Sequence, residues 1–122
     1  MKETFQIKAI ENIKMAEFAF ENDCYNASAN RAYYAAFHAA IVAIVSTGIE
    51  PKIDHKIIQT VFADSFFNRR KILSSKYKSY LKDLQDIRNI ADYRMLSVSK
   101  KLAKQQLEKA KEFIEIIFKV II

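Results

Sequence analysis

The order of apolar and polar residues along the chain predicts helices almost throughout. Between residues 3 and 22, apolar side chains recur at spacings of three and four, which is the period of one helix face. These residues are Phe5, Ala9, Ile13, Ala16 and Phe20. Charged residues take much of the other side of this helix: Lys8, Glu11, Lys14, Glu17 and Glu21. A second helix is predicted over residues 25–47, and its segment 32–45 is apolar almost all round. We therefore expect the second helix to be the central, buried one.

Cap residues set the predicted ends of the remaining helices. Gly48 and Pro51 end the second helix, because glycine adopts the left-handed cap and proline blocks continuation. A third helix begins after Asp54, a fourth covers residues 76–91, and a last one covers 100–120 after a loop at 92–99. The stretch 65–75 fits either a short helix or an irregular connection. The chain is thus expected to form an all-α, antiparallel up-and-down bundle of about five helices, in one domain over residues 1–122.

Composition excludes most other classes of protein. The 122 residues include one Gly, one Pro and one Cys, and 51% of them are hydrophobic. Dinucleotide and P-loop sites need glycine clusters, and sandwiches and barrels need many turn residues. The lone Cys24 excludes an internal disulfide framework and a cysteine-based zinc site, so we predict no metal and no cofactor. No signal peptide or membrane span is recognisable in the sequence, and we expect a cytoplasmic protein.

The positive charge is concentrated in one segment. Residues 65–82 contain six basic residues and no acidic one, which equals the chain's net charge of +6. They are Arg69, Arg70, Lys71, Lys76, Lys78 and Lys82. Such a segment can attract a polyanion, and the tyrosines among these lysines can stack on bases. The alternative is a solvated surface without a ligand.

The first candidate cluster is NRAYYAAFH, residues 30–38. Arg31 and His38 lie seven residues apart, so they share one side of the helix about 10 Å apart, with Tyr34 between them. An arginine in an otherwise apolar helix needs a partner or an opening to solvent. Either the cluster forms a site, or Arg31 pairs with an acid of another helix and His38 is a hydrogen-bonded core histidine.

The second candidate cluster is DIRNIADY, residues 86–93. It places Arg88, Asn89, Asp92 and Tyr93 within two turns of helix. Arg88 carries a planar set of donors suited to phosphate or carboxylate, and it can pair with Asp92 at i+4. Asp92 can instead pair with Arg31 across the helices. We predict that Arg31 and Arg88 face the same pocket, with Asp92 and Tyr93 at its wall.

Four segments in this order resemble the small stand-alone HEPN proteins of bacteria and archaea. They are NRAYYAAFH, GIEPKIDHK, LQDIRNIADY and KKLAKQQLEKAKEFIEII. The resemblance implies a helical bundle that commonly forms a two-fold homodimer. It also implies frequent pairing with a minimal nucleotidyltransferase and, for many members, a metal-independent ribonuclease or toxin role.

Active HEPN ribonucleases carry an R-N-x-x-x-H pattern near the end of the penultimate long helix, where arginine holds phosphate and histidine transfers a proton. Arg88 and Asn89 match this pattern, but Tyr93 stands where histidine is expected. A tyrosine with a pKa of about 10 is a poor base near neutrality. His38 can supply an imidazole to the same cleft if the second and fourth helices pack side by side. The resemblance therefore gives Arg88, Asn89, Tyr93 and His38 as catalytic candidates in a degenerate motif.

Two main functions remain open from the sequence. The first is a module that acts on or binds RNA, as the toxin-like ribonuclease of a nucleotidyltransferase-paired system. Its expected phosphate-binding residues are Arg31, Arg69, Arg70, Lys71, Lys76 and Lys78, and its expected wall residues are Tyr34, Asp92 and His55. The second is a non-catalytic, dimeric partner of a minimal nucleotidyltransferase that carries an acceptor tyrosine, with Tyr93 near the expected place. A nucleotide-binding bundle is a weaker third hypothesis.

Overall fold

The computed structural model describes residues 1–69 and 73–121, with Arg69 described by its backbone alone. This part of the chain contains five α-helices and no strand, which confirms the all-α bundle. The helices are α1 (Lys2–Glu21), α2 (Tyr25–Ser46), α3 (His55–Ala63), α4 (Tyr80–Tyr93) and α5 (Lys100–Val120).

Helix α2 is the centre of the bundle, as predicted. It contacts each of the other four helices, and most of its residues from Ser28 to Ile44 are buried. Alanines on several of its sides let the neighbouring backbones approach closely, and all of them are fully buried. They are Ala32, Ala35, Ala36, Ala39, Ala40 and Ala43. Within residues 1–69 and 73–121, no helix combines the length and hydropathy that crossing a bilayer demands.

The predicted caps are confirmed by the backbone geometry. Gly48 follows α2 with φ +89°, the left-handed conformation that favours glycine. The Asp54 carboxylate accepts a hydrogen bond from the Ile57 N–H at 3.1 Å at the start of α3. The Ser99 hydroxyl oxygen accepts one from the Leu102 N–H at 3.1 Å at the start of α5. Each contact satisfies a backbone donor that the helix itself leaves unpaired.

Helix α4 differs from its prediction at both ends. It begins at Tyr80 instead of residue 76, and a 3₁₀ turn at Ser75–Tyr77 precedes it. It continues to Tyr93, so Asp92 belongs to its last turn and not to the following loop. The i,i+4 ion pair between Arg88 and Asp92 stabilises this last turn. The ambiguous stretch at 65–75 begins within a π-helical turn at Asp64–Arg69, and residues 70–72 lie outside the described part of the chain.

Helix α1 is apolar on two faces. The predicted stripe packs inward, with Ala9 and Ala16 fully buried. The opposite face, which the sequence suggested was mainly charged, also exposes four large apolar side chains. They are Ile7, Ile10, Met15 and Phe18. The bundle therefore leaves an apolar surface on α1 that its own helices do not cover.

Candidate functional site

Arg88 lies near the end of α4 and is the centre of a dense hydrogen-bond cluster. Its side chain is only 12% exposed. Its Nε donates to the Asp92 carboxylate at 2.9 Å and its Nη1 to the Asn89 side-chain oxygen at 3.3 Å. Its Nη2 donates to the hydroxyl oxygens of Tyr34 at 2.8 Å and Tyr93 at 3.3 Å. The four residues predicted around Arg88 are therefore brought together with it, and Tyr34 comes from α2.

Aromatic rings surround the same guanidinium group. Its carbon lies 5.3 Å from the ring centre of Tyr34, 5.2 Å from that of Tyr93 and 5.9 Å from that of Tyr33. Aromatic faces attract a cation and restrict its movement. Arg88 is thus held in one orientation by hydrogen bonds and by rings from two helices.

Arg31 meets the same aromatic ring from α2. Its guanidinium carbon lies 5.0 Å from the centre of Tyr34, so both arginines contact this tyrosine, as the shared-pocket prediction requires. The prediction that Arg31 forms an ion pair with Asp92 is wrong, because the described residues contain no such pair. Arg31 donates to the Asn30 side-chain oxygen, and the Asn30 amide donates to Asp92 at 2.7 Å. Asn30 is thus interposed between the two charges, and Arg88, one helical turn before Asp92, is the arginine that pairs with this carboxylate.

His38 is hydrogen-bonded on the α1 side of the cluster. Its Nδ1 lies 3.2 Å from the Asn12 amide nitrogen, and the Asn12 oxygen accepts from Arg31 at 3.0 Å. Its ring stacks on Phe5 with centres 5.7 Å apart. Burial, with the nearby charge of Lys8, lowers the pKa of His38 to about 4. His38 therefore reaches Arg31 through Asn12, in the manner expected of a satisfied core histidine.

His55, predicted as a wall residue, lies on the Arg88 side of the cluster. Its Nδ1 is 2.6 Å from the Tyr33 hydroxyl oxygen. Its ring centre lies 4.7 Å from that of Phe37 and 5.9 Å from that of Tyr34. Burial lowers the pKa of His55, and the positive charge of Arg88 lowers it further. A histidine with a pKa below its ordinary value is mostly neutral at pH 7. The effect of Arg88 on this pKa also means that the two side chains are close to each other.

Two described lysines of the basic segment, Lys76 and Lys78, are not part of this cluster. Lys76 lies before the first turn of α4 and pairs with Glu112 at 2.6 Å, and Lys78 is exposed. Arg88 lies eight residues after the first residue of α4, which corresponds to about 12 Å along the helix. Arg70, Lys71 and the side chain of Arg69 fall outside the described residues. The lysines predicted to bind phosphate together with Arg88 are therefore at the other end of α4.

Sequence reasoning missed three residues of the cluster. Asn30 begins the NRAYYAAFH segment, Tyr33 is the first of its paired tyrosines, and Asn12 is a polar residue near the buried face of α1. The adjacency of Asn30 to Arg31 was the one available signal, because the partners of the other two lie on separate helices. Among the described residues, no group of three or more His, Cys, Asp or Glu side chains could hold a metal ion.

Comparisons with known proteins agree with this architecture. A curated relative from Methanocaldococcus jannaschii, named "Putative toxin MJ0605", is 29% identical over 113 residues, covering 93% of this chain and 83% of that protein. The family model described as "HEPN domain" matches residues 3–121, a span that contains every residue of the Arg88 cluster. The chain therefore belongs to the HEPN domain family.

Proposed function

We propose that this protein is a toxin-like HEPN module that binds RNA phosphate at Arg88 and cleaves RNA weakly without a metal ion. The observation that carries the proposal is the fixed guanidinium group of Arg88, 12% exposed and held by residues of α2 and α4. A preorganised cation at a phosphate favours the charge that develops during phosphoryl transfer. The relative named as a toxin supports the toxin-like role.

The hydrogen bonds of Arg88 divide into two groups with different roles. The bonds to Asp92 and Tyr34, at 2.9 and 2.8 Å, fix the plane of the guanidinium group. The bonds to Asn89 and Tyr93, both 3.3 Å, are long and therefore weak. Phosphate oxygens form stronger, charge-assisted bonds, so an RNA phosphate displaces these two weak acceptors. Arg88 keeps its orientation when it does so.

A second copy of the chain would complete this site. Tyr93, which contacts Arg88 at the end of α4, and the two apolar side chains that follow it in the chain are strongly exposed: Tyr93 at 71%, Met95 at 105% and Leu96 at 74%. An exposed apolar cluster of this kind is typical of an interface. Pairing of these surfaces about a two-fold axis brings two Arg88 side chains to one cleft. Light scattering should show a dimer for the wild type and a monomer for Leu96→Asp.

RNA cleavage and RNA retention test the proposal directly. The purified protein is incubated with cellular RNA in the presence of a chelator, beside Arg88→Ala and the charge-matched control Lys14→Ala, which lies on the exposed side of α1. We expect cleavage to fall at least about a hundredfold in Arg88→Ala and to persist in Lys14→Ala. If the wild type binds RNA without cleaving it, the ribonuclease part is wrong. If it does not bind RNA, or if Arg88→Ala behaves as the wild type, the whole proposal is wrong.

A second candidate function is that of a partner subunit for a minimal nucleotidyltransferase. Two observations favour it: the uncovered apolar face of α1, and the Tyr93 hydroxyl, which is exposed and 3.3 Å from Arg88 Nη2. After co-expression with such an enzyme from the same genome, we expect co-purification and a mass increase of one nucleotidyl group. The increase should disappear in Tyr93→Phe and persist in Tyr25→Phe. An unchanged mass together with no co-purification removes this candidate.

A further inference from the structure

His55 is locked in place by the core residue Tyr33. Tyr33 is fully buried, and its hydroxyl oxygen lies 2.6 Å from His55 Nδ1. The Tyr33 and His55 rings also stack, with centres 5.5 Å apart, and Phe37 packs on His55 from 4.7 Å. The imidazole therefore has one ring orientation, with Nδ1 directed inward.

The hydrogen bonds around Tyr33 decide which nitrogen of His55 carries the proton. Burial raises the pKa of Tyr33 to about 12, so its hydroxyl keeps its hydrogen at pH 7. The buried Tyr33 hydroxyl needs an acceptor for its hydrogen, and Nδ1 of His55 lies 2.6 Å away, so we assign this bond as the Tyr33 O–H donating to Nδ1. A neutral imidazole whose Nδ1 accepts must carry its hydrogen on Nε2.

The Nε2 of His55 is open to solvent. It has no hydrogen-bond partner among residues 1–69 and 73–121. In that part of the chain, Gln106 Oε1 is the one side-chain N or O atom that is both buried and without a partner. Because Nε2 of His55 has no partner either, it must be accessible from solvent, where water or a ligand reaches it. His55 thus points a donor outward from a rigid support.

His55 and Arg88 stand against the same two rings. Arg88 lies 5.9 Å from the ring centre of Tyr33 and 5.3 Å from that of Tyr34. His55 lies 5.5 Å and 5.9 Å from the same two centres. Arg88 also lies near enough to His55 for its charge to lower the pKa of the imidazole. A single phosphodiester group has two non-bridging oxygens, one for the cation and one for the neutral donor.

We propose that His55 is a phosphate-binding residue whose Nε2–H donates a hydrogen bond to a non-bridging oxygen of the RNA phosphate held by Arg88. This inference rests on the proposed function, because both place RNA phosphate at Arg88. The histidine of the site then comes from α3 and not from the α4 position that Tyr93 occupies. The contact is a hydrogen bond in which no proton is transferred, and in the neutral imidazole it is the Nε2–H tautomer that supplies the donor.

Nitrogen NMR of the imidazole ring tests the tautomer in the wild-type protein. We expect a protonated Nε2 and an unprotonated Nδ1 at pH 7, and a shift of the Nε2 signal on titration with dimethyl phosphate. Tyr33→Phe should release the lock and mix the two tautomers. A proton resident on Nδ1 in the wild type, or an Nε2 signal indifferent to dimethyl phosphate, overturns the inference.

Affinity for a 2′-O-methyl RNA, which cannot be cleaved through its 2′-oxygen, separates this inference from the proposed function. We expect His55→Ala to weaken binding about tenfold, because it removes a hydrogen bond to a charged group. His55→Gln retains a side-chain N–H donor and should bind within about threefold of the wild type. The control Ile57→Ala, a neutral change two residues further along α3, should leave the affinity unchanged.

The two proposals fail in different ways. If the wild type binds RNA and depends on Arg88 but His55→Ala binds equally well, the role of His55 is wrong and the proposed function stands. If the wild type does not bind RNA, the proposed function is wrong and the role of His55 at an RNA phosphate is wrong with it.

Discussion

The two ends of α4 carry positive charge in opposite ways. Before the first turn, Lys76 and Lys78 belong to the most basic segment of the sequence, and both are exposed to solvent. Near the last turn, residues 86–93 contain one arginine and two aspartates, and yet this arginine, Arg88, is nearly buried and fixed, unlike Lys76 and Lys78. Arg88, the cation held in a fixed orientation, therefore lies in a segment whose net charge is negative. A candidate phosphate site is recognised here by the fixed geometry of one cation and not by charge density.

At the end of α4 that follows Lys76 and Lys78, hereafter the basic end, an acidic residue neutralises part of the positive charge. Glu112 of α5 accepts from Lys76 at 2.6 Å and from the Tyr80 hydroxyl at 2.9 Å. These bonds, that of Lys76 first, lower the pKa of Glu112, so the carboxylate stays charged. Tyr77 and Tyr80, which the sequence offered for base stacking, thus help to hold the 3₁₀ turn against α5. This end of α4 serves the packing of the bundle.

The largest expected effect is on stability and concerns the part of α4 between its two ends. Leu84 lies midway along α4 and is 1% exposed. Leu84→Ala should lower the free energy of unfolding by about 3 kcal/mol, because it leaves a cavity in the core. Lys82→Ala, on the exposed side of the same helix, should change it by less than about 0.5 kcal/mol. Urea denaturation of both variants checks this, and similar values for the two would contradict the packing described.

The next effect separates the shape of the cation from its charge. Arg88→Lys keeps the positive charge but loses the planar set of donors that binds Asp92 and Tyr34. We expect about a tenfold loss of RNA affinity, since lysine cannot make these bonds and contact phosphate in the same orientation. Lys78→Arg at the other end should leave the affinity unchanged. Equal affinity of Arg88→Lys and the wild type would show that charge alone suffices.

A smaller effect comes from His38 and depends on pH. Because the folded state holds the pKa of His38 at about 4, below the ordinary value of 6.5, the unfolded chain binds a proton first as the pH falls. Stability contributed by neutral His38 is present above pH 6.5 and is lost as the pH falls towards 4. Between pH 7 and pH 5 the wild type should lose about 1 kcal/mol more than His38→Gln does, about half of what the full shift in pKa gives, because solvent screens this half-buried side chain. Parallel loss in the two proteins would show that His38 titrates normally.

The smallest effect is expected at the exposed lysine of the basic end. Lys78→Ala should weaken RNA binding by less than about threefold at moderate salt, because a solvated lysine makes a single screened phosphate contact. The slope of log affinity against log salt should fall by at most about one. Fluorescence anisotropy over a salt series measures both values. A tenfold loss in this variant would place the main phosphate contact at the basic end.

The sequence predicted the helices well because their signals are local. Apolar spacing located α1 and α5, and local cap residues marked other helix ends: Gly48 after α2, Asp54 before α3 and Ser99 before α5. The start of α4 was missed, because the turn before it depends on Glu112, which lies more than 30 residues away in sequence. The exposed apolar face of α1 was underestimated, since charged residues are interspersed along it.

The candidate site was predicted in part for the same reason. The i,i+4 pair of Arg88 and Asp92 follows from helix geometry, and the structure contains it. The second partner of Asp92 is Asn30 and not Arg31. This depends on the distance between α2 and α4, which no spacing in the sequence fixes. The neighbourhood of His55 and Arg88 likewise arises only when α3 and α4 pack on the same two tyrosines of α2.

The most direct test of the account is the affinity of three proteins for one 2′-O-methyl RNA at moderate salt. These are the wild type, Arg88→Ala, and the double variant Lys76→Ala with Lys78→Ala. The account predicts at least a tenfold loss for Arg88→Ala, which removes one positive charge, and at most about a fivefold loss for the double variant, which removes two. The opposite order would contradict it and would show that RNA is held by the basic end of α4.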